Sequence, residues 1–122
     1  AYCRQRFLVE CVAAGVLAIE YPFTWDDTDG ARRDARAARR LGYKAKSAVA
    51  AHHASVINDE LTPGGGDVGQ ARRIVAAFEA AQTAGEGRAL LDGNLVEVPT
   101  YRTALRLLER ADALADADVA AG

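Results

Sequence analysis

Carboxylates carry most of the chemistry this sequence can offer. Glu20 closes an apolar run, Val16-Leu-Ala-Ile-Glu-Tyr21. A carboxylate in such a run must be paired, protonated or placed at a site, so Glu20 is either functional or a member of a buried ion pair. Asp26, Asp27 and Asp29 follow the same run. Hard cations want such oxygens, and helix starts want them equally as caps. Glu97 stands in Gly93-Asn-Leu-Val-Glu-Val-Pro99, between apolar neighbours on a glycine-bounded segment. A mobile lid presents a catalytic acid or base in this setting, and a solvent-facing strand residue fits the same pattern.

The remaining polar signals are weaker. His52 and His53 are adjacent, so on a regular element they are expected to diverge, as surface or loop histidines without a further ligand at metal spacing. Gly64-Gly65-Gly66 lacks the Gly-Lys-Ser/Thr of a phosphate cradle and is followed by Asp67, which repels anions; it reads as a linker turn. Arg32, Arg36 and Arg39 form a row balanced by nearby aspartates, the pattern of a solvated face. Cys3 and Cys11 are eight residues apart on one expected helix, about 12 Å along its axis, too far for a disulfide. They are expected as two buried thiols.

The elements that must position these groups follow from periodicity. A helix over 2–14 carries Phe7, Leu8, Cys11 and Val12 on one stripe and stops at Gly15. Residues 16–21 then form a buried strand with Glu20 at its C-terminal edge. A helix over 28–41 turns Ala31, Ala35 and Ala38 inward and ends at Gly42. Residues 43–51 form a second strand. Asp67 with Gln70 marks the start of a helix that runs to about Thr83. An extended piece over 88–98 turns at Asp92-Gly93, and Pro99 opens a last helix with Tyr101, Leu105, Leu108 and Ala111 on one face.

The order is α-β-α-β-α, a hairpin-like excursion and a final helix, which defines an α/β class with parallel pairing. Two parallel strands leave both outer edges unpaired, so the pair is expected to belong to a larger sheet or barrel. With 122 residues, 50% of them apolar and 26% charged, the chain can bury a core without disulfides. A net charge of -2 excludes the basic footprint of a dedicated nucleic-acid binder. There is no apolar run of membrane-spanning length, and Arg4, Arg6 and Glu10 stand where a secretory signal would be apolar. A cytoplasmic protein without membrane contact is expected.

Taken in order, several segments resemble the C-terminal part of the citrate lyase beta-subunit and malyl-CoA lyase family of CoA-ester lyases. They are Arg6-Phe-Leu-Val9, Ala18-Ile-Glu-Tyr-Pro-Phe23 with Asp26 to Asp29, Leu41-Gly-Tyr-Lys-Ala-Lys46, Ile57-Asn-Asp-Glu-Leu-Thr-Pro63, Ala71-Arg-Arg-Ile74 and Asp92-Gly-Asn-Leu-Val-Glu-Val-Pro99. The resemblance implies the end of a (β/α)8 TIM barrel, with residues 16–21 as strand seven and 44–50 as strand eight. Residues 1–84 are then barrel, and 85–122 a lid segment with the terminal helix. Such a barrel typically needs about 250 residues.

The implied activity is Mg²⁺-dependent carbon–carbon cleavage of a hydroxyacyl-CoA of the malyl, citramalyl or citryl type. A CoA thioesterase on the same scaffold and a non-catalytic docking partner are the alternatives. By motif position the catalytic lid carboxylate is Glu97, acting on the neighbouring subunit of a trimer-type homo-oligomer. Ser47 and Ala48 fall at substrate-binding positions that act through backbone groups. The family's Mg²⁺ ligands lie outside this segment, so no residue here is assigned as a metal ligand.

Three departures from the family pattern bear on substrate choice. Glu97 stands where the family usually has Asp, and Glu20 where it has Asp. Val49-Ala-Ala-His-His53 replaces the usual Ile-His-Pro-x-Gln. The extra methylene at Glu97 displaces its carboxylate by about 1.5 Å, comparable to misplacements of about 1 Å that cost 100-fold.

Overall fold

Where the helices end decides where the strands begin. A computed structural model describes residues 1–122. Helix α1 (Tyr2–Ala13) closes with the Val16 N–H donating to the Cys11 carbonyl at 3.0 Å across Gly15, whose φ is 69°. Helix α2 (Thr28–Leu41) closes the same way, with the Tyr43 N–H donating to the Ala38 carbonyl at 3.1 Å across Gly42 at φ 112°. Both are Schellman-type ends that need a left-handed residue, which glycine adopts without a Cβ clash. Val16 and Tyr43 have thereby given their N–H groups to helices, so neither can open a strand.

Strand β1 is accordingly Ile19–Glu20 and β2 is Ala45–Lys46, shorter than the expected 16–21 and 43–51. They pair in parallel, Ile19 with Ala45 and Glu20 with Lys46, and the Ser47 N–H donates to the Glu20 carbonyl at 2.9 Å. The α/β class and the parallel pair stand. The exposed sides of Val16, Leu17, Ile19 and Tyr21 remain uncovered within the chain.

A helix that the sequence reading left out follows directly. Helix α3 (Ala51–Leu61) buries His53, Val56, Ile57, Glu60 and Leu61, a stripe at helical spacing that overlaps the end of the expected second strand. Ala35 of α2 packs on Ile57 and Leu61. Ala31, Ala35 and Ala38 are almost fully buried, and their small size lets α3 and the Tyr43 cluster approach closely. The row of arginines on α2 is solvated as expected, with Arg36 and Arg39 exposed, and two of its members also pair with a buried carboxylate. Arg36 grips Glu60 with both ends of its fork, 2.7 and 3.2 Å, and Arg32 reaches the same carboxylate at 3.3 Å.

Two compact units divide at Thr62 and Pro63. In the first, Leu8 and Cys11 of α1 pack on Ala18, Ala38 and Tyr43. Phe7 and Val12 stay exposed, and Cys3 is an exposed free thiol rather than a buried one, because only one edge of α1 meets the core.

In the second unit, α4 (Gly65–Thr83) starts earlier than Asp67. Asp67 sits in its first turn and accepts from the Gly64 N–H at 3.3 Å. Strands β3 (Ala89–Leu91) and β4 (Asn94–Val96) form the expected antiparallel hairpin, turning through Asp92 at φ 52° and Gly93 at φ 77°. Helix α5 (Val98–Ala121) follows. Ala81, Ala89 and Val96 form the core, backed by Ile74, Phe78 and Leu91. The boundary expected at 84/85 separates barrel from lid, whereas compactness groups α4 with the hairpin and α5.

The Glu60 clamp makes a pH-dependent contribution. Hydrogen bonding from Arg36, then Arg32, holds the Glu60 carboxyl below its ordinary value near 4.5, against the opposing effect of burial. The unfolded chain therefore takes up this proton more readily, so the stabilisation is complete above the ordinary value and is lost as pH falls through the folded pKa. Glu60→Gln is expected to lower the unfolding midpoint by a few degrees at neutral pH, with the gap to the unsubstituted protein closing in acid. Thermal melts followed by circular dichroism from pH 7 to pH 3 check this.

Candidate functional site

Glu20 and Lys46 end the paired strands side by side, and the site grows from them. In open α/β sheets ligands gather outside the carboxyl ends of the strands. Lys46 Nζ lies 2.8 Å from Glu20 Oε2, 2.5 Å from Asp34 Oδ2 and 2.8 Å from the Tyr21 carbonyl. Arg4 of α1 pairs through Nε with Glu20 Oε1 and through Nη1 with Asp34 Oδ1 at 3.4 Å. Tyr43 donates its hydroxyl to the Arg4 carbonyl at 2.5 Å.

Two cations thus share two carboxylates, with the Glu20 side chain at 0% and the Lys46 side chain at 1% exposure. Burial works against the Arg4 charge, but hydrogen bonding and attraction from Glu20, with Asp34, outweigh it and raise the pKa. Burial first, and the Glu20 charge next, push the Tyr43 phenol upward. Of the two roles open to Glu20 in the sequence, the structure places it in the buried ion pair.

Mg²⁺ does not fit these carboxylates. The ion takes several oxygens and keeps waters of its own, yet Glu20 and Asp34 already surround an ammonium and a guanidinium. Asp27 caps α2, accepting from the Asp29 N–H at 3.0 Å, and pairs with Arg33 at 3.3 Å. Asp92 is held by Arg73, both oxygens at 2.8 Å.

The substrate positions from the sequence reading fall just beyond β2. Ser47 and Ala48 are exposed, and the Ser47 N–H is already committed to Glu20. Glu97 belongs to the second unit. It occupies the cap position of α5 with extended backbone, φ -94° and ψ 165°, and its side chain makes no cap bond. Its carbonyl accepts from the Tyr101 N–H at 3.0 Å. The residue lies on the wall of a cleft of about 460 Å³ whose lining includes Phe78, Ala81, Leu95 and Val98.

What fixes Glu97 there is its neighbours. Val96 is buried in the hairpin core, and Pro99 suits the first turn of α5, where no N–H is needed. Phe78 of α4 stacks on Tyr101 at 4.2 Å and 16°, and the Tyr101 hydroxyl donates to Glu79 at 3.0 Å. That hydrogen bond, aided by burial, raises the tyrosine pKa.

No family model matches the chain. An L-malyl-CoA/beta-methylmalyl-CoA lyase of Cereibacter sphaeroides is 30% identical over 112 residues, which are 91% of this chain and 35% of that protein. The mitochondrial citramalyl-CoA lyase of Rattus norvegicus is 26% identical over 114 residues, 93% of this chain and 34% of its own length. Two solved structures share the fold. CitE from Mycobacterium tuberculosis, in complex with magnesium, acetoacetate and coenzyme A, matches with a TM-score of 0.72 at 24% identity, over 91% of this chain and 40% of that one. A citrate lyase from Burkholderia xenovorans LB400 matches with a TM-score of 0.76 at 23% identity, over 92% and 35%.

The chain spans about a third of the length of the relatives it matches. Over that span it is similar to CoA-ester lyases along nine-tenths of its own length. No helix is long and apolar enough to cross a membrane.

The buried quartet has a measurable signature. Glu20→Gln leaves Arg4 and Lys46 with Asp34 as their one remaining shared carboxylate and is expected to cost about 3–5 kcal/mol in urea unfolding, the range for breaking one side of a buried pair. Adding Lys46→Met is expected to cost less than the sum of the two single changes, since the groups act as a unit.

Proposed function

We propose that the chain is the C-terminal part of a carbon–carbon lyase acting on a hydroxyacyl-CoA ester. In this reading β1 and β2 are strands seven and eight of a (β/α)8 barrel, and the hairpin with α5 is a lid that serves a neighbouring subunit. The similarity to malyl-CoA and citramalyl-CoA lyases across nine-tenths of the chain carries the activity. The uncovered apolar side chains of Val16, Leu17, Ile19 and Tyr21 fit a pair of strands that continues into a larger sheet. Magnesium, present in the CitE complex, would be held by residues outside this segment.

The proposed reaction is a retro-aldol cleavage. The substrate hydroxyl loses its proton and becomes the carbonyl of an oxoacid, the carbon–carbon bond breaks, and its electron pair passes to the α-carbon of the acyl-CoA. That carbon takes up a proton to give acetyl-CoA or propionyl-CoA. Glu97, starting as its carboxylate, takes the hydroxyl proton as general base and then, as the resulting acid, delivers it to this carbon, so it ends the cycle ionised with no net proton gained or lost. Its uncapped carboxyl on a cleft wall supports the role, and the buried Val96 before it supports its positioning. Ser47 and Ala48 contribute backbone contacts to the substrate, the Ser47 carbonyl being the group on that residue that strand pairing does not enlist through its N–H.

In the full-length protein, with malyl-CoA, citramalyl-CoA and citryl-CoA each supplied with Mg²⁺, the expected products are an oxoacid with acetyl-CoA or propionyl-CoA. Free CoA in their place would identify a thioesterase, and no turnover would favour a docking role. Glu97→Gln is expected to lower kcat by about 10²–10⁴-fold. Unchanged turnover in that variant removes Glu97 from the mechanism while leaving the lyase assignment standing.

A further inference from the structure

Asp26, His52 and His53 converge just past the ends of the two parallel strands. Asp26 lies in the loop between β1 and α2, and the two histidines stand in the first turn of α3, directly after β2. His52 Nε2 is 3.0 Å from Asp26 Oδ1. The two imidazoles meet edge to face with centroids 4.5 Å apart, instead of diverging as adjacent residues were expected to. One ligand atom from each of the three residues lies within 4.8 Å of the others.

A second observation marks the same place. Four buried side-chain polar atoms lack a hydrogen bond: Arg4 Nε, Glu20 Oε1, Asp34 Oδ2 and His53 Nε2. The first three are in ion pairs with one another or with Lys46. His53 Nε2 has no such partner, although the residue is only 1% exposed, and the Phe23 ring lies 6.2 Å from its own. A buried nitrogen without a partner is costly, and metal coordination is one way that cost is met.

We infer that Asp26, His52 and His53 bind one divalent ion of the zinc class. Two imidazoles and a carboxylate form a mixed nitrogen–oxygen set that suits Zn²⁺ and its neighbours and is a poor match for Mg²⁺ or Ca²⁺, which favour oxygen alone. Metal–ligand bonds of about 2.0–2.1 Å put tetrahedral donors roughly 3.3 Å apart, so the widest pair has to close by roughly 1.5 Å. The Asp26 side chain is 90% exposed and that of His52 50%, so both have the freedom to do it. The bound ion ties the β1–α2 loop to the head of α3 and keeps at least one coordination position open. The site uses neither Glu97 nor Ser47 and Ala48, so it stands or falls apart from the lyase reading.

The intact, untagged protein, stripped with a chelator and kept in excess Mg²⁺, is titrated with Zn²⁺ by calorimetry and with Co²⁺ by visible absorption. The expected result is one equivalent per chain at micromolar affinity or tighter, a raised melting temperature, and the intense visible bands of four- or five-coordinate Co²⁺. Asp26→Asn and His52→Ala, both at exposed positions, are each expected to weaken binding by about 10–100-fold while leaving the far-ultraviolet circular dichroism unchanged. Absence of saturable Zn²⁺ binding in the micromolar range, or binding that neither variant weakens, overturns the site.

Discussion

The first unit is organised around one carboxylate that cannot be exposed. Glu20 is held at the end of β1 by backbone pairing, and its side chain has nowhere to go but inward. An isolated charge there would be prohibitive, so its surroundings have to supply cations from two directions. Arg4 comes from α1 and Lys46 from the adjacent position on β2, while Asp34 on α2 balances the second positive charge. One ionic quartet therefore joins both helices to both strands. The apolar core alone is too thin for this task, since Ala18, Ala38 and Tyr43 are its fully buried members in that region. Charge complementarity, more than packed volume, sets the register of these four elements.

The second unit is held by different means. Its hairpin core is small and apolar, and the ring stack of Phe78 on Tyr101 clamps α4 to α5 just past the hairpin. Arg73 reaches from α4 to both oxygens of Asp92 at the tip of the turn. The hairpin is thus anchored at its turn by a bidentate ion pair and at its far end by Val96. Glu97 is the first residue after that anchor, its carbonyl held by the Tyr101 N–H and its side chain making no cap bond.

Much of this was legible in the residues. Gly42 after the alanine stripe, the Asp92-Gly93 turn and Pro99 at the head of α5 are local signals, each set by the φ or N–H that the position requires, and local signals survive into the fold. The strand limits were not legible, because Val16 and Tyr43 look like strand residues until their N–H groups are seen closing the preceding helices. Helix α3 was obscured by Lys44-Ala-Lys-Ser-Ala-Val-Ala-Ala51 running into it without a capping side chain, although His53, Val56, Ile57, Glu60 and Leu61 repeat at helical spacing. The roles of Arg32 and Arg36 were hidden for a related reason. Their partner Glu60 lies on that unassigned helix, so the nearby aspartates stood as the row's visible counter-charges. The convergence of His52 and His53 with Asp26 required three-dimensional information, since it joins the β1–α2 loop to the first turn of α3, which the pairing of β1 with β2 brings together.

The carboxylates of this chain divide by what they are free to do. Glu20 and Glu60 are buried and ringed by cations, so their lone pairs are spent on the fold and neither can exchange a proton with a substrate without dismantling its clamp. Asp27, Asp34 and Asp92 are likewise committed, to a helix cap and to ion pairs. Glu97 and Asp26 differ from these: Glu97 makes no side-chain cap bond on its helix, and Asp26 faces an imidazole whose neighbour carries an unpartnered nitrogen. General acid–base work needs a carboxyl whose protonation state can change within the cycle, and metal binding needs one whose oxygens are not already neutralised. By those two demands Glu97, at the head of α5, and Asp26, in the loop between β1 and α2, are the two of these carboxylates left open.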